Sequence, residues 1–144
     1  MSWMRRTVTL SLGLAAAWLG AVGLASAGTI VVVNQGAGFG AISKDALEAV
    51  FTGKTQSLPD GTPAVVATLK GGPAHEAFLK GHLNKSPQQF LSAWRNLAFT
   101  GKGKMPQQFD SEADLVAFVA KTKGAIGYID DGTPHSGVKV VKVQ

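Results

Sequence analysis

A run of β-branched residues, Thr29-Ile30-Val31-Val32-Val33, constrains the fold of this 144-residue chain more than any other feature. Such a run predicts a strand that is buried on both faces, as in a parallel sheet covered by helices. Helical patterns then alternate with further apolar runs at 64–69, 125–129 and 138–143. This alternation indicates an α/β sandwich of three layers. We expect a mostly parallel sheet of about four strands, in which the last pair adds an antiparallel edge.

Four helices are predicted from their caps and apolar stripes. Their expected first residues or N-caps are Ser43, Pro73, Ser86 and Ser111. The tetrapeptide Phe-Thr-Gly-Lys occurs at 51–54 and again at 99–102, each time at the expected end of a helix. Glycine favours the left-handed conformation that ends many helices. Because the flanking residues differ, we interpret the repeat as two similar helix endings and not as a duplication.

The first 27 residues have the pattern of an export signal. Arg5 and Arg6 precede an uncharged stretch at 7–24, and the small residues Ala25-Ser26-Ala27 follow it. The alternative is a retained membrane anchor, since the stretch is about long enough to span a bilayer. Its high Gly and Ala content and the immediate cleavage site favour cleavage. We therefore predict a signal peptide at 1–27 and a single periplasmic domain at 28–144, which meets the membrane only before cleavage.

Charge and composition exclude several classes of partner. The chain has 14 basic and 9 acidic residues, so removing Arg5 and Arg6 leaves 12 basic residues and a net charge of +3. The lysines are scattered and do not alternate with aromatic residues, which argues against nucleic acid as a partner. A mild attraction for anions is what this charge supports. The absence of cysteine excludes disulfides, thiolate metal sites and cysteine nucleophiles.

No motif predicts an enzyme, a metal site or a cofactor. The segments at Lys54 and Lys102 lack the glycine spacing of a phosphate-binding P-loop. On one helix, His75 and His82 would lie roughly 10 Å apart, which is too far for one zinc ion. No G-x-S-x-G nucleophile elbow is present. The pair Asp130-Asp131 lies in a turn, where a structural role is the expected one.

The glycine-rich loop at Gly36–Gly40 allows two interpretations. One is a flexible turn between the first strand and the first helix. The other is a loop whose backbone N–H groups face a small anion. The G-x-G-x-x-G spacing is absent, so the loop does not predict a dinucleotide-binding fold.

Several segments in a fixed order carry a resemblance to a known family. The mature chain resembles the periplasmic phosphate-binding proteins of ABC transporters, and looks like one lobe of their two-lobed type II fold. The resemblance covers most of residues 42–129. The matching segments are Ile42-Ser43, Val50 to Lys54, the strand at Val65-Val66, Gly101-Lys102-Gly103, Ala117 to Val119 and Gly124 to Tyr128.

The resemblance implies that a ligand meets the start of the helix after the second strand. A helix N-terminus presents free N–H groups and partial positive charge, which suit an anion. The ligand-binding residues that it implies are Lys70, Gly71, Gly72, Ala74, His75 and Asn34. Phosphate or a similar small anion is the expected ligand, and no cofactor or metal is expected.

The segment at 68–74, where the second strand leads into the helix, departs from the family pattern, which reads roughly Arg-x-Asp-Gly-Ser-Gly-Thr. Thr68 stands where the arginine would be, and Lys70 replaces the aspartate. Pro73 stands where a glycine N–H would donate, and proline has no N–H. A phosphate would lose a bidentate cation and several donors, each charge-assisted bond contributing about 1.5–3 kcal/mol. We expect a weaker site, or one for a different anion.

The single lobe leaves two functions open. Two-lobed binders close around their ligand, whereas one lobe offers half a cleft. The first function is solute binding for ABC transport, with a permease as partner and with a homodimer as one way to complete the cleft. The second is a periplasmic interaction or accessory module that has lost ligand binding and contacts another protein.

Overall fold

The computed structural model describes residues 28–144, and the predicted signal peptide at 1–27 lies outside them. These residues form six strands and four α-helices. The strands are β1 (Thr29–Asn34), β2 (Ala41–Ile42), β3 (Val65–Leu69), β4 (Gln107–Phe109), β5 (Ala125–Asp130) and β6 (Val138–Val143). The helices are α1 (Lys44–Phe51), α2 (Pro73–Phe78), α3 (Pro87–Phe99) and α4 (Glu112–Lys121). A π-helical segment, Leu79–Leu83, continues α2.

All six strands belong to one sheet, in the order β2-β6-β1-β5-β3-β4. Three of its five pairings are parallel: β2 with β6, β3 with β5, and β3 with β4. Strand β1 runs antiparallel to both of its neighbours, β5 and β6. The predicted α/β class with a mostly parallel sheet is therefore confirmed. The antiparallel strand lies inside the sheet, and two very short strands, β2 and β4, raise the number of strands above the expected four.

Helices cover both faces of the sheet, as a three-layer sandwich requires. Successive residues of a strand point to opposite faces, and β5 shows both contacts. A Cβ atom at Gly127 would lie 2.7 Å from Leu115 of α4. The next residue, Tyr128, stacks on Phe78 of α2 with 4.1 Å between ring centroids. The apolar core thus lies on both sides of the sheet, with α4 on one side and α1 and α2 on the other.

The predicted helix caps are confirmed. Ser43, Ser86 and Ser111 each accept a hydrogen bond from a backbone N–H of the first turn, and Ser86 forms a full capping box with Gln89. Each cap satisfies a donor that the helix leaves unpaired. None of the helices within residues 28–144 is long and apolar enough to cross a membrane.

The repeated tetrapeptide ends two helices in the same way, as predicted. Gly53 and Gly101 both have positive φ, at 79° and 74°. The threonine before each glycine donates its hydroxyl to the carbonyl four residues earlier. The two phenylalanines differ, because Phe51 is fully buried whereas Phe99 is 92% exposed. An identical local structure therefore places one aromatic ring in the core and the other in solvent.

Candidate functional site

The candidate site is the segment that links β3 to α2, at residues 70–75. Strand β3 is buried for most of its length and ends at Leu69, so the chain leaves the sheet at Lys70. Strand β4 runs parallel to β3 and ends level with it, since Leu69 is paired with Phe109. The carboxyl ends of neighbouring parallel strands form the edge at which open α/β sheets bind ligands. The structure places Lys70, Gly71, Gly72, Ala74 and His75 at this edge, as one continuous segment that we call the anion segment.

The backbone of the anion segment depends on glycine. Gly72 has φ 101° and ψ 173°, a conformation that is essentially restricted to glycine. Its carbonyl accepts the N–H of Glu76 at 3.0 Å, which begins α2 with Pro73 in the first turn. No side chain of the described residues caps this end of the helix. The N–H groups of Ala74 and His75 therefore remain available to an anion, whereas Pro73 has none to offer.

Lys70 supplies a positive charge, but a carboxylate lies beside it. Its Nζ atom is 3.2 Å from Oδ1 of Asp110, and the two side chains are 56% and 81% exposed. Asp110 directly follows β4 and therefore meets Lys70 across the ends of two paired strands. An exposed pair of this kind contributes little to stability and opens readily. An anion bound at Lys70 would have to compete with the Asp110 carboxylate.

His75 takes part through its backbone, because its side chain points into the core. The residue is only 5% exposed, and Nδ1 is hydrogen-bonded to the hydroxyl of Tyr128. That hydroxyl also accepts the N–H of Leu69 at 3.1 Å, so its own proton is free to be donated to Nδ1. Burial lowers the pKa of His75, against a smaller opposite effect of Glu76, and burial raises the pKa of Tyr128. The hydrogen-bonded pair of neutral His75 and neutral Tyr128 fixes the start of α2 against β3 and β5.

Thr68, two residues before the anion segment, has an unsatisfied polar group. The residue is fully buried, and its Oγ1 has no hydrogen-bond partner among the described residues. Val66 is paired with Ile126, so the same register carried two residues further places Thr68 level with Tyr128 on β5. A buried hydroxyl without a partner costs free energy. Within residues 28–144, Thr68 is thus the buried side chain whose polar atom the fold leaves without a partner.

Asn34 is not brought together with the other predicted residues. Val33 and Val66 are both paired with Ile126, which places Asn34 near the amino end of β3. Lys70 lies at the other end of that strand, roughly 15 Å away by the rise per residue. The Asn34 amide donates to the carbonyls of Val119 and Ala120 at the end of α4. Asn34 therefore caps α4, and its prediction as a residue of this site requires correction.

The glycine-rich loop uses its backbone N–H groups within the protein. Gly36 donates to the side chain of Asn34, and Gly38 donates to Oδ2 of Asp60, both at 2.9 Å. These bonds favour a structured turn over an anion-binding loop. The N–H groups of Gly38 and Thr62 hold the pKa of Asp60 below its usual value. In the part of the chain that the structure describes, no three His, Asp or Glu side chains converge as metal ligands.

Comparison with known proteins gives structural neighbours. No protein-family model matches the chain, and no curated protein matches it. An ABC-type phosphate transport receptor from Vibrio cholerae matches with a TM-score of 0.54 and 16% identity, over 81% of this chain and 46% of that chain. PstS from Borrelia burgdorferi matches with a TM-score of 0.62 and 13% identity, over 81% of this chain and 47% of that chain. A possible phosphate binding protein from Planctomyces limnophilus matches with a TM-score of 0.58 and 17% identity, over 81% of this chain and 41% of that chain.

This chain shares the fold of one part of these proteins. It spans less than half the length of the structures that it matches, as expected for one lobe of a two-lobed fold. The predicted resemblance is thereby confirmed for the fold. At identities of 13–17%, this similarity shows the fold alone.

Proposed function

We propose that this chain is a non-enzymatic solute-binding domain that acts in the periplasm after removal of residues 1–27. Its ligand is phosphate or a similar small anion, which it binds weakly at the anion segment for transport by an ABC permease. The fold supports this proposal, because two of its structural neighbours are described as a phosphate transport receptor and a possible phosphate binding protein.

The uncapped start of α2 at the carboxyl end of β3 is the observation that carries the proposal. Two backbone donors, at Ala74 and His75, have no side-chain cap, and they follow Lys70 within five residues of chain. Helix N-termini attract anions because their N–H groups lack partners and carry partial positive charge. The buried link between His75 and Tyr128 holds these donors in place before any ligand arrives.

Three features of the site argue for weak binding. Pro73 removes one backbone donor. Asp110 competes with the ligand for Lys70. A single lobe also leaves one side of the ligand in water, so that each charge-assisted bond contributes less than it would in a closed cleft. We therefore expect a dissociation constant in the millimolar range.

Isothermal titration of the purified protein with phosphate at low salt tests the proposal, with sulfate as the control anion. Saturable heat with phosphate supports solute binding. Absence of heat at millimolar phosphate rejects it and directs attention to protein partners.

Two sets of variants locate the bound anion. Lys70→Ala is expected to weaken phosphate binding several-fold, whereas Lys80→Ala, an exposed lysine outside the segment, leaves it unchanged. Pro73→Gly combined with Ala74→Thr restores a donor and a hydroxyl, so it is expected to strengthen binding. Equal effects of Lys70→Ala and Lys80→Ala would show only non-specific attraction by positive charge.

The ion pair between Lys70 and Asp110 favours a second function. The Asp110 carboxylate lies 3.2 Å from the Lys70 ammonium group and competes with any anion for it. In this second proposal the chain is an accessory module that contacts another periplasmic protein. Asp110→Asn distinguishes the two functions, because it releases Lys70. Stronger phosphate binding by this variant supports a working site, and no binding by either form supports the accessory module.

A further inference from the structure

A groove lies at the opposite end of β3 from the anion segment. It has a volume of about 560 Å³ and is bounded by the loops that follow α1 and α3. Its lining includes Gln56, Val66, Trp94, Lys102, Lys104 and Met105. We call it the Trp94 groove. Its volume falls in the range of about 300–1,000 Å³ that is typical of small-molecule sites.

The repeated tetrapeptide builds this groove. Gly53 comes from the first copy, and Gly101 and Lys102 come from the second, so both helix endings contribute to the lining. A Cβ atom at Gly53 would overlap the side chain of Leu97 and would lie 3.3 Å from the Trp94 ring. Glycine therefore allows this loop to close on α3 beside the tryptophan. The indole is fixed in turn, because Nε1 donates to the carbonyl of Phe51 at 2.8 Å.

The two walls are tied together before any ligand binds. The side-chain amide of Gln56 donates to the backbone carbonyl of Lys102, which links the segment after α1 to the segment after α3. Such a link reduces the cost of ordering the loops on binding.

The charged side chains that line the groove are both lysines. Lys102 and Lys104 are both exposed, and none of the described residues that line the groove is Asp or Glu. The lining also includes the apolar residues Pro63, Val65 and Met105, whereas Val66 and Trp94 are only 8% and 5% exposed. An apolar surface beside two unopposed ammonium groups is complementary to a molecule that has an apolar body and an anionic head.

Exposed apolar side chains reinforce this complementarity. Residues 28–144 contain three large apolar side chains that are exposed. Met105 lines the groove, and Phe99 lies at the end of α3, two residues before the lining residue Gly101. Phe99 is exposed although the identical tetrapeptide in α1 buries its phenylalanine. Exposed apolar groups that cluster beside a groove mark a binding surface.

We propose that the Trp94 groove binds an amphiphilic organic anion, a carboxylate, sulfonate or phosphate head on an aromatic or aliphatic body. The apolar body packs on Val65 and Met105 beside Trp94, and the head lies near Lys102 and Lys104. A soluble compound and a lipid both present this chemistry. The site is independent of the anion segment, from which the length of β3 separates it.

An NMR titration of the ¹⁵N-labelled protein with 8-anilinonaphthalene-1-sulfonate tests the proposal. We expect shifts of the Trp94 indole N–H and of the backbone amides at 101–107. The variant Lys102→Glu with Lys104→Glu is expected to weaken binding about tenfold. The matched variant Lys80→Glu with Lys85→Glu has the same change in charge outside the groove and is expected to bind like the original protein.

Other outcomes overturn the proposal. Shifts confined to residues 70–75 would place the probe at the anion segment. Equal weakening by the two double variants would show attraction by net charge alone, and no shifts would show that the groove is not a site. Inorganic phosphate lacks the apolar body and is expected to leave the groove amides unchanged.

Vesicles of phosphatidylcholine with phosphatidylglycerol separate the two sources of ligand. Co-sedimentation that requires Lys102 and Lys104, together with the expected shifts by the soluble probe, supports a lipid as the source. Probe binding without co-sedimentation supports a soluble compound. Co-sedimentation without any binding of the soluble probe overturns the proposal in favour of a membrane surface.

Discussion

Tyr128 joins three parts of the fold at a single side chain. Its hydroxyl accepts the N–H of Leu69 on β3 and bonds to Nδ1 of His75 on α2, and its ring stacks on Phe78. Buried polar groups with both partners present specify one arrangement, and removal of one member leaves the others unpaired. Tyr128 therefore controls the geometry at the start of α2 from within the core.

Tyr128→Phe keeps the stacking and removes the hydroxyl. It leaves the Leu69 N–H and the His75 Nδ1 without a partner, so we expect the free energy of unfolding to fall by about 1–3 kcal/mol. Urea unfolding measures this change. If the solute-binding proposal holds, phosphate binding weakens as well, because the donors of α2 lose their support. Unchanged stability would mean that the hydrogen bonds at this hydroxyl contribute nothing net.

Thr68→Val is expected to have the opposite effect on stability. The change removes a buried hydroxyl that has no partner in the described chain, so the free energy of unfolding is expected to rise by about 1 kcal/mol. Thr52→Val is the matched control, because Thr52 is also buried but donates to the carbonyl of Glu48 at 2.7 Å. It is expected to destabilise. Destabilisation by Thr68→Val would reveal a partner for its hydroxyl, and weaker phosphate binding would assign that partner to the ligand.

At the scale of whole elements, the sequence predicts where helices begin and end, because these positions depend on local rules. The serine caps, the proline start of α2 and the glycine ends depend on a few neighbouring residues, and all of them were predicted. Strands β2 and β4 were missed because two or three residues such as Gln107–Phe109 are too few to show a period. They form only because a neighbouring strand supplies the hydrogen-bonding partners.

The candidate site was predictable to the same extent. A segment that follows a buried strand and starts a helix is visible in the sequence, and residues 70–75 form such a segment between β3 and α2. Asp110 was missed, because its proximity to Lys70 depends on the pairing of β4 with β3. Asn34 was placed wrongly because β1 runs antiparallel to β5, which carries its last residue to the far end of the sheet.

The start of α2 allows a direct test of backbone strain. Gly71 and Gly72 both have open space where a side-chain methyl group would lie, but only Gly72 has a positive φ, of 101°. Gly72→Ala is therefore expected to lower the free energy of unfolding by about 1–3 kcal/mol, whereas Gly71→Ala changes it little. Thermal unfolding of the two variants provides the comparison. Equal stability of both variants would show that the Gly72 backbone relaxes without cost.

At the scale of the whole molecule, β3 separates two surfaces of different character. Its carboxyl end carries the anion segment, which is small and polar, and its amino end carries the larger Trp94 groove. The fold spans less than half of its structural neighbours, so neither surface has a second lobe within residues 28–144 to close over it. A homodimer that brings two anion segments together would supply this cover, and it would make phosphate binding depend on protein concentration.

The stability of the whole domain is expected to depend on pH in a direction that the buried groups determine. Burial lowers the pKa of His75 and of His82 below the value of 6.5 that applies to an unfolded chain. Below about pH 6.5 the unfolded state then binds more protons than the folded state, so stability decreases as the pH falls. Tyr128 has the opposite shift, so its effect appears only as the pH rises above the unfolded value of 10.0, where stability again decreases.

Urea unfolding at pH 7 and pH 5 measures the acid side of this dependence. His75→Gln keeps an acceptor for the Tyr128 hydroxyl but cannot bind a proton, so it is expected to make stability less dependent on pH in this window. The comparison uses the difference between the two pH values within each variant, which removes any loss of stability that the substitution itself causes. His82→Gln, tested in the same way, gives the contribution of His82 to the pH dependence of stability. An undiminished difference in His75→Gln would mean that His75 takes up its proton equally in both states, in conflict with the burial of its ring among Tyr128, Phe90 and the start of α2.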